Sequence, residues 1–391
     1  MKNSQQPIYL DHNAGTPILP EVVDAMLPYL REHFGNPSST HAYGKTMHAA
    51  VERAREQVSR LIDCIPNELY FTSGGTEANN LAIRGVCAAV PDRRHILTSV
   101  IEHPATAEPC AWLEEQGYTV FRAPVDDAGR VMAERVQEVL GQDGSGKNWA
   151  LVSVMHANSE TGTLQAIAEI ADMAHAVGAL MHTDAAQSCG KIRVSVQREK
   201  VDLLSIAGHK LYAPQGVGAL FVRSGTAIKP VVIGAGHEHG LRPGTENVAS
   251  IVGLGQACEI ARLSLEEEGE RVKALRDRLW SLLVEAIPDI ALNGYPAERL
   301  PNTLNVRFPG ASGNALLAAC PGIAASTGSA CHESGDSASD VILAMGIPES
   351  EAIGSVRLSL GRSNTSEQIK LAATQLIKAW HHCRSPLAGD L

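Results

Sequence analysis

Four short segments carry residue types that do chemistry. Phe71-Thr-Ser-Gly-Gly-Thr-Glu-Ala-Asn-Asn80 sets a strand end, a glycine pair and a cap-like threonine before a helical run. A helix that starts there offers free backbone N–H groups and a positive dipole end to an anion such as a phosphate. His182-Thr-Asp-Ala-Ala-Gln187 puts Asp184 at the C-terminal edge of an expected strand, where open α/β sheets gather their ligands. A carboxylate there suits a protonated ring nitrogen, or else caps the next helix. Ser205-Ile-Ala-Gly-His-Lys210 ends another core-like strand on a lysine. A partly desolvated amine has a lowered pKa and forms a Schiff base, whereas a lysine on a surface turn does neither. The fourth is Cys331, in the small, polar segment Ser326-Thr-Gly-Ser-Ala-Cys-His-Glu-Ser-Gly335. With an ordinary thiol pKa near 8.5, roughly 3% is thiolate at pH 7, so the adjacent His332 is a candidate activator.

Each of the first three segments has a bland reading on its own. In this order, a phosphate cradle, a strand-end aspartate and a strand-end lysine point to pyridoxal phosphate (PLP).

The elements that must position these groups follow from the apolar pattern. Strands are expected at 69–72, 95–100, 150–155, 179–183, 203–207 and 218–222, with helices such as 77–89 and 167–177 between some of them. That alternation predicts an α/β sheet with parallel strands and helical crossovers. A long amphipathic helix over 256–286 leads to shorter strands at 303–307 and 356–360 and a helix from Glu367 onward, a smaller α+β domain. The expected division is a large domain of residues 15–255 and a small one of 1–14 with 256–391, the latter carrying the Cys331 loop.

Composition narrows the function classes. With 391 residues, 33 basic and 43 acidic side chains and a net charge of -10, the chain has no basic block to neutralise nucleic-acid phosphates. No apolar run is expected to reach the roughly 18 residues of a membrane span. The first ten residues lack the apolar core of an export signal, and the eight cysteines are scattered without a CxxC pair. Reduced thiols in a cytoplasm are therefore expected. Two decoys fall away. Gly141–Lys147 fits GxxxxGK, but Asn148 stands where a P-loop needs Ser or Thr and the motif precedes a strand. His237-Glu-His239 has no third metal ligand at a recognisable spacing, so no metal site is expected.

Ten ordered blocks now give a resemblance. YLDHNAGTP (9–17), FGNPSSTHAYG (34–44), FTSGGTEANN (71–80), IEHPA (101–105), MHANSETG (155–162), HTDAAQ (182–187), GHK (208–210), GLRPGTENV (240–248), GSAC (328–331) and VRLSLGR (356–362) resemble the NifS-like cysteine desulfurases of the class V aminotransferase superfamily. The resemblance covers nearly the whole chain and implies the PLP-dependent transferase type I fold, a homodimer, L-cysteine as substrate and a sulfur-acceptor or scaffold protein as partner.

It also implies roles. Lys210 would be the Schiff-base lysine, Asp184 would pair with the pyridinium nitrogen, His103 would stack on the ring and Gln187 would bond its phenolic oxygen. Gly75, Thr76 and His209 would hold the phosphate, with Thr245 reaching it from the neighbouring subunit. Asn158 would sit beside the phenolic oxygen and the substrate carboxylate, Asn13 would belong to the substrate-binding set, and Arg357 would fork onto the carboxylate. Cys331 would take the substrate sulfur as a persulfide, in the service of such ends as iron–sulfur cluster assembly. Four departures stand out: Ala207 where the family carries Ser or Thr, Gly15 for Thr, Ser159 for Asn, and a short tail after Ser385. The sister activity on this scaffold, selenocysteine lyase, is the alternative, favoured by the small residue before Gly208-His-Lys210 and by Arg242-Pro-Gly-Thr-Glu-Asn247.

Overall fold

The computed structural model describes residues 6–142, 147–328 and 337–384. After a short β1 (Ile8–Tyr9), seven strands build the main sheet: β2 (Leu69–Thr72), β3 (His95–Ser99), β4 (Thr119–Ala123), β5 (Trp149–Ser153), β6 (Leu180–Asp184), β7 (Leu203–Ala207) and β8 (Gly218–Val222). Their spatial order is β2-β8-β7-β6-β5-β3-β4. Only β8 runs against its neighbours in this sheet. Every residue of β5, β7 and β8 is buried, which explains why they read as apolar runs rather than alternations: helices cover both faces. Neighbouring residues serve opposite cores. Val152, Leu204 and Phe221 face one cluster, while Leu151, Leu203 and Leu220 face the other.

Three expected strands are found within their stated bounds and three are shifted by about a residue. The edge strand β4 was not anticipated; it is half exposed, and its Thr-Val-Phe-Arg-Ala carries little of the core signature. β8 approaches the turn after β2 so closely that a side chain at Gly218 would sit 2.8 Å from Gly74 Cα and 2.5 Å from Ile206 O. Only glycine fits there.

The second core gathers β1, β9 (Ala291–Asn293), β10 (Thr303–Arg307), β11 (Ile323–Ala324) and β12 (Ser355–Ser359). β10 lies between β9 and β12, antiparallel to both, and β1 pairs with β11 in parallel. Leu10, Leu304, Val306, Leu358, Leu376 and Trp380 pack there together. The connecting helix runs over Val248–Ala286, eight residues longer at its start than the sequence pattern suggests, because Asn247 caps it through a bond from Ser250 N–H. It places Leu254 and Ala257 in the first core and Leu279 and Leu283 in the second. Contrary to the composition-based expectation, this helix carries an 18-residue window apolar enough to cross a membrane. Leu254, Ala257, Leu279 and Leu283 are committed to the two protein cores, while Leu263 and Val284 stay exposed.

The His237–His239 segment carries a buried ion pair. Glu238 is buried and takes a two-pronged ion pair from Arg55 at 2.7 and 2.8 Å, plus a 2.7 Å bond from Phe71 N–H on β2. The chain reaches this geometry with Glu238 and His239 both left-handed, at φ 46° and 52°. Removing one partner of a buried pair strands the other charge. Glu238→Ala should therefore destabilise the protein by about 3–5 kcal/mol, read as a lowered midpoint of urea unfolding; an unchanged midpoint would show that the pair is not an anchor.

Candidate active site

The C-terminal ends of β6 and β7 open on a cavity of about 740 Å³. Asn13, Gly75, Thr76, His103, Asp184, Gln187, His209, Lys210 and Arg357 all reach its wall. Residues more than three hundred positions apart in the chain thus meet around one cavity. Cys331 lies outside the described residues.

One end of the cavity is a helix start. Gly74, at φ 151°, turns the chain from β2 into the helix Gly75–Ala89, and no side chain caps it. Gly75 and Thr76 bring the uncapped first turn to the wall, an anion site by its N–H groups and its dipole. Ala207 borders this turn, 3.2 Å from where a side chain on Gly75 would begin. His209 stands alongside, its pKa pushed down to about 4 by burial and then by Lys210; it enters as a neutral ring.

Asp184 ends β6, buried. Its Oδ2 accepts a 2.7 Å bond from Asn79 Nδ2 and its Oδ1 accepts from Ala186 N–H at 2.9 Å. Asn79 was not anticipated from the sequence; its place one turn into the helix, four residues after Gly75, was the signal to look for. Lys210 follows β7, and its Nζ donates to the carbonyls of Asn13 and Ala14. Burial first, then the Arg357 charge, lowers its pKa to about 8, against the pull of Asp11 and Asp184. His103 caps the helix Pro104–Glu115, its Nδ1 accepting from Ala105 N–H at 3.0 Å. Burial and Lys210 lower its pKa despite Asp184, leaving a neutral ring with its proton on Nε2. Glu102, also missed by the sequence pattern, is held by Ser99 Oγ and Met155 N–H, and burial lifts its carboxyl to about 8.

Arg357, on β12, donates from Nη2 to Asp11 Oδ1 at 2.9 Å and from Nη1 to Ser159 O at 3.1 Å. Its Nε is buried without a partner among the described residues. Ser159, one of the departures, thus serves through its carbonyl, and Gly15 has open space where a side chain would stand. Asn13 reaches the wall, but its amide is engaged: Nδ2 donates to Ser159 O and Thr303 Oγ1, and Oδ1 accepts from Lys191 and Asn302. Asn158 is fully buried and off the wall, its Oδ1 closing the turn to Glu160 and Thr161. Thr245 is exposed and likewise outside the cavity.

A family model described as aminotransferase class-V matches residues 8–371. The chain belongs to that family. A cysteine desulfurase IscS of Methanosarcina thermophila is 44% identical over 372 residues, covering 94% of this chain and 91% of that protein. Among solved structures, a NifS-like protein superposes with a TM-score of 0.89 at 33% identity, covering 96% of this chain and all of that one. A structure of SspA in complex with cysteine gives 0.80 at 32% identity, over 92% of this chain and all of that one. Class-V membership and these neighbours agree with the expected α/β fold, a mixed, mainly parallel sheet flanked by helices, and make the chain a PLP-dependent enzyme of the cysteine desulfurase kind.

A lysine with its pKa lowered from 10.5 to about 8 is neutral, and nucleophilic, at lower pH than an exposed one. Labelling of Lys210 by an aldehyde, trapped with borohydride and read by peptide mass, should rise with pH and level off above about pH 8. A midpoint near 10.5 would refute the depressed pKa.

Proposed function

We propose that the protein is a cysteine desulfurase that binds PLP in the 740 Å³ cavity and converts L-cysteine to L-alanine, passing the sulfur to Cys331. The observation that carries the reading is that an uncapped helix start, a buried aspartate, an amine with a lowered pKa and a buried guanidinium share that one cavity. The names of the relatives support the sulfur reading and give the selenocysteine alternative no support of its own.

The residues fit the cofactor by their chemistry. Gly75, Thr76 and His209 would hold its phosphate, Asp184 a proton on its ring nitrogen, Gln187 its phenolic oxygen and Lys210 its aldehyde carbon, with His103 against the ring. When bound, PLP supplies a covalent tether for the substrate amine and an electron sink for charge at the substrate Cα.

The protein's own groups then divide the work. Arg357 orients the substrate through its carboxylate, a planar match for a guanidinium fork. Lys210 Nζ, neutral in a good fraction of molecules near pH 8, takes the Cα proton and returns a proton to the product. Asn79 and the Ala186 N–H hold the Asp184 carboxylate aimed. The thiolate of Cys331 forms an S–S bond with the substrate sulfur as the substrate C–S bond breaks, and the carbon skeleton keeps that electron pair. The balance is one cysteine and one thiol to one alanine and one Cys331 persulfide.

The assembly belongs to the same proposal. A homodimer in which Thr245 completes the partner's phosphate site agrees with the exposure of Thr245 in the single chain. The two cores, separated along the helix Val248–Ala286, support the division into residues 15–255 and the remainder, except that Ala338, Ile342, Met345 and Ala352 pack into the first core. The seven described cysteines are all free thiols, which supports a reducing, cytoplasmic setting. A protein acceptor for the persulfide sulfur, such as an iron–sulfur scaffold, completes the reading.

Alanine formation from L-cysteine with PLP, together with mass analysis of the Cys331 peptide for added sulfur, tests it. Cys331→Ala should bind PLP and L-cysteine yet release no alanine; undiminished turnover would remove Cys331 as sulfur acceptor. Arg357→Lys should raise KM for L-cysteine about 10- to 100-fold, equivalent to ~1.4–2.8 kcal/mol for a lost charge-assisted fork. An unaltered KM would move the carboxylate site elsewhere.

A further inference from the structure

Lys191 is the cation near the cavity to which neither the sequence pattern nor the family resemblance gives a role. Its Nζ donates at 2.8 Å to Gln187 Oε1 and at 3.1 Å to Asn13 Oδ1. Asn13 Oδ1 has a second donor, Asn302 Nδ2 at 3.0 Å. Gln187 Oε1 has Lys191 as its one donor among the described residues. On its other side Gln187 Nε2 donates to Asn13 O at 3.0 Å, which leaves its second N–H for the cavity that Gln187 lines.

An amide turned end over end exchanges donor and acceptor at one place in space, and only its partners decide which way it lies. A protonated amine donates and never accepts. Facing Oε1, Lys191 therefore forbids the turned orientation, in which Nε2 would meet an N–H group and Oε1 would meet the Asn13 carbonyl.

We infer that Lys191 is a positioning residue: it pins the Gln187 amide so that the cavity is offered an N–H donor and never a carbonyl oxygen. The ligand atom served is an anionic oxygen on an aromatic ring, so the inference rests on the PLP reading above. Lys191 sits between that cavity and a smaller one of about 40 Å³ lined also by His12, Tyr212, Glu268 and Arg362. Lys210 and Arg357 are the cations that face it, and together with burial they lower its pKa. Its contacts with two amide oxygens oppose that loss of charge.

The test is the pH titration of the visible absorbance band of the PLP-loaded protein. An N–H donor on the ring oxygen stabilises the form in which that oxygen is most negative, the one that has lost the proton shared with the lysine nitrogen. Lys191→Met should therefore raise the band's midpoint by about one pH unit, tenfold in the proton's equilibrium constant. Loss of the Lys191 charge alone shifts the midpoint in the same direction, so the same change is made on a Gln187→Ala background. There Lys191→Met should leave the midpoint within about 0.3 units; a full unit would mean simple charge repulsion and overturn the positioning role. Lys191→Arg keeps a cationic donor and should titrate like the unmutated protein. A shift as large as that of the methionine variant would place the effect in packing and likewise overturn it. Absence of any band from the unmutated protein would defeat the PLP reading itself. A band unmoved by Lys191→Met would defeat this inference alone.

Discussion

The site depends on one buried asparagine. Asn13 comes from the N-terminal segment, yet every polar group it owns is committed across the molecule. Its N–H donates to Ser359 Oγ, its Nδ2 to Ser159 O and Thr303 Oγ1, its Oδ1 accepts from Lys191 and Asn302, and its carbonyl accepts from Lys210 and Gln187. These bonds join the main sheet's loops to β10 and β12 of the second core. A buried amide left half satisfied costs more than one never buried, so the arrangement is all or nothing. The lysine, the glutamine and the arginine strand are held in one frame because they share this residue.

That frame concentrates positive charge in a dry place. Lys191 lies in the fields of Lys210 and Arg357, and Lys210 in that of Arg357; among the described residues Arg357 is the one of the three with an ion-pair partner, Asp11. Burial and the Arg357 charge favour the neutral amine of Lys210, which yields its proton where a guanidinium does not. Arg357, which crowds Lys210, keeps an Nε with no partner among the described residues. An incoming carboxylate supplies what the protein withholds. Catalytic potential and binding potential have one electrostatic origin here.

Much of this was legible in the sequence, and the part that was not has physical reasons. β2, β7, β8 and β10 are buried, apolar and bounded by turns, so their limits could be read directly. β4 was invisible because an edge strand buries too little to leave a pattern. The helix Val248–Ala286 was read as starting at Gln256 because its first turns, rich in small buried residues, lack the amphipathic stripe of the rest. The places of Asp184 and Lys210 were legible because they lie at strand ends, whereas Arg357 was named through the family resemblance. Asn79 and Lys191 were not, since each acts through another side chain, 105 positions away for Asn79 and four for Lys191. Asn158 lies behind the wall, a turn-closing residue beneath the surface that the family pattern associates with the ligand.

The connecting helix has a thermodynamic meaning beyond geometry. At 39 residues it is about 58 Å long, and its two halves are roofs for different cores. Isolated helices owe most of their persistence to such cover. A form in which the second core melted would leave Leu279 and Leu283 on a bare extension, and melting of the first would expose Leu254 and Ala257 in the same way. Each core therefore subsidises the order of the other, and half-melted species are penalised from either direction. The two regions are bound to a common fate on heating, a cooperativity that neither β-sheet, taken by itself, would supply.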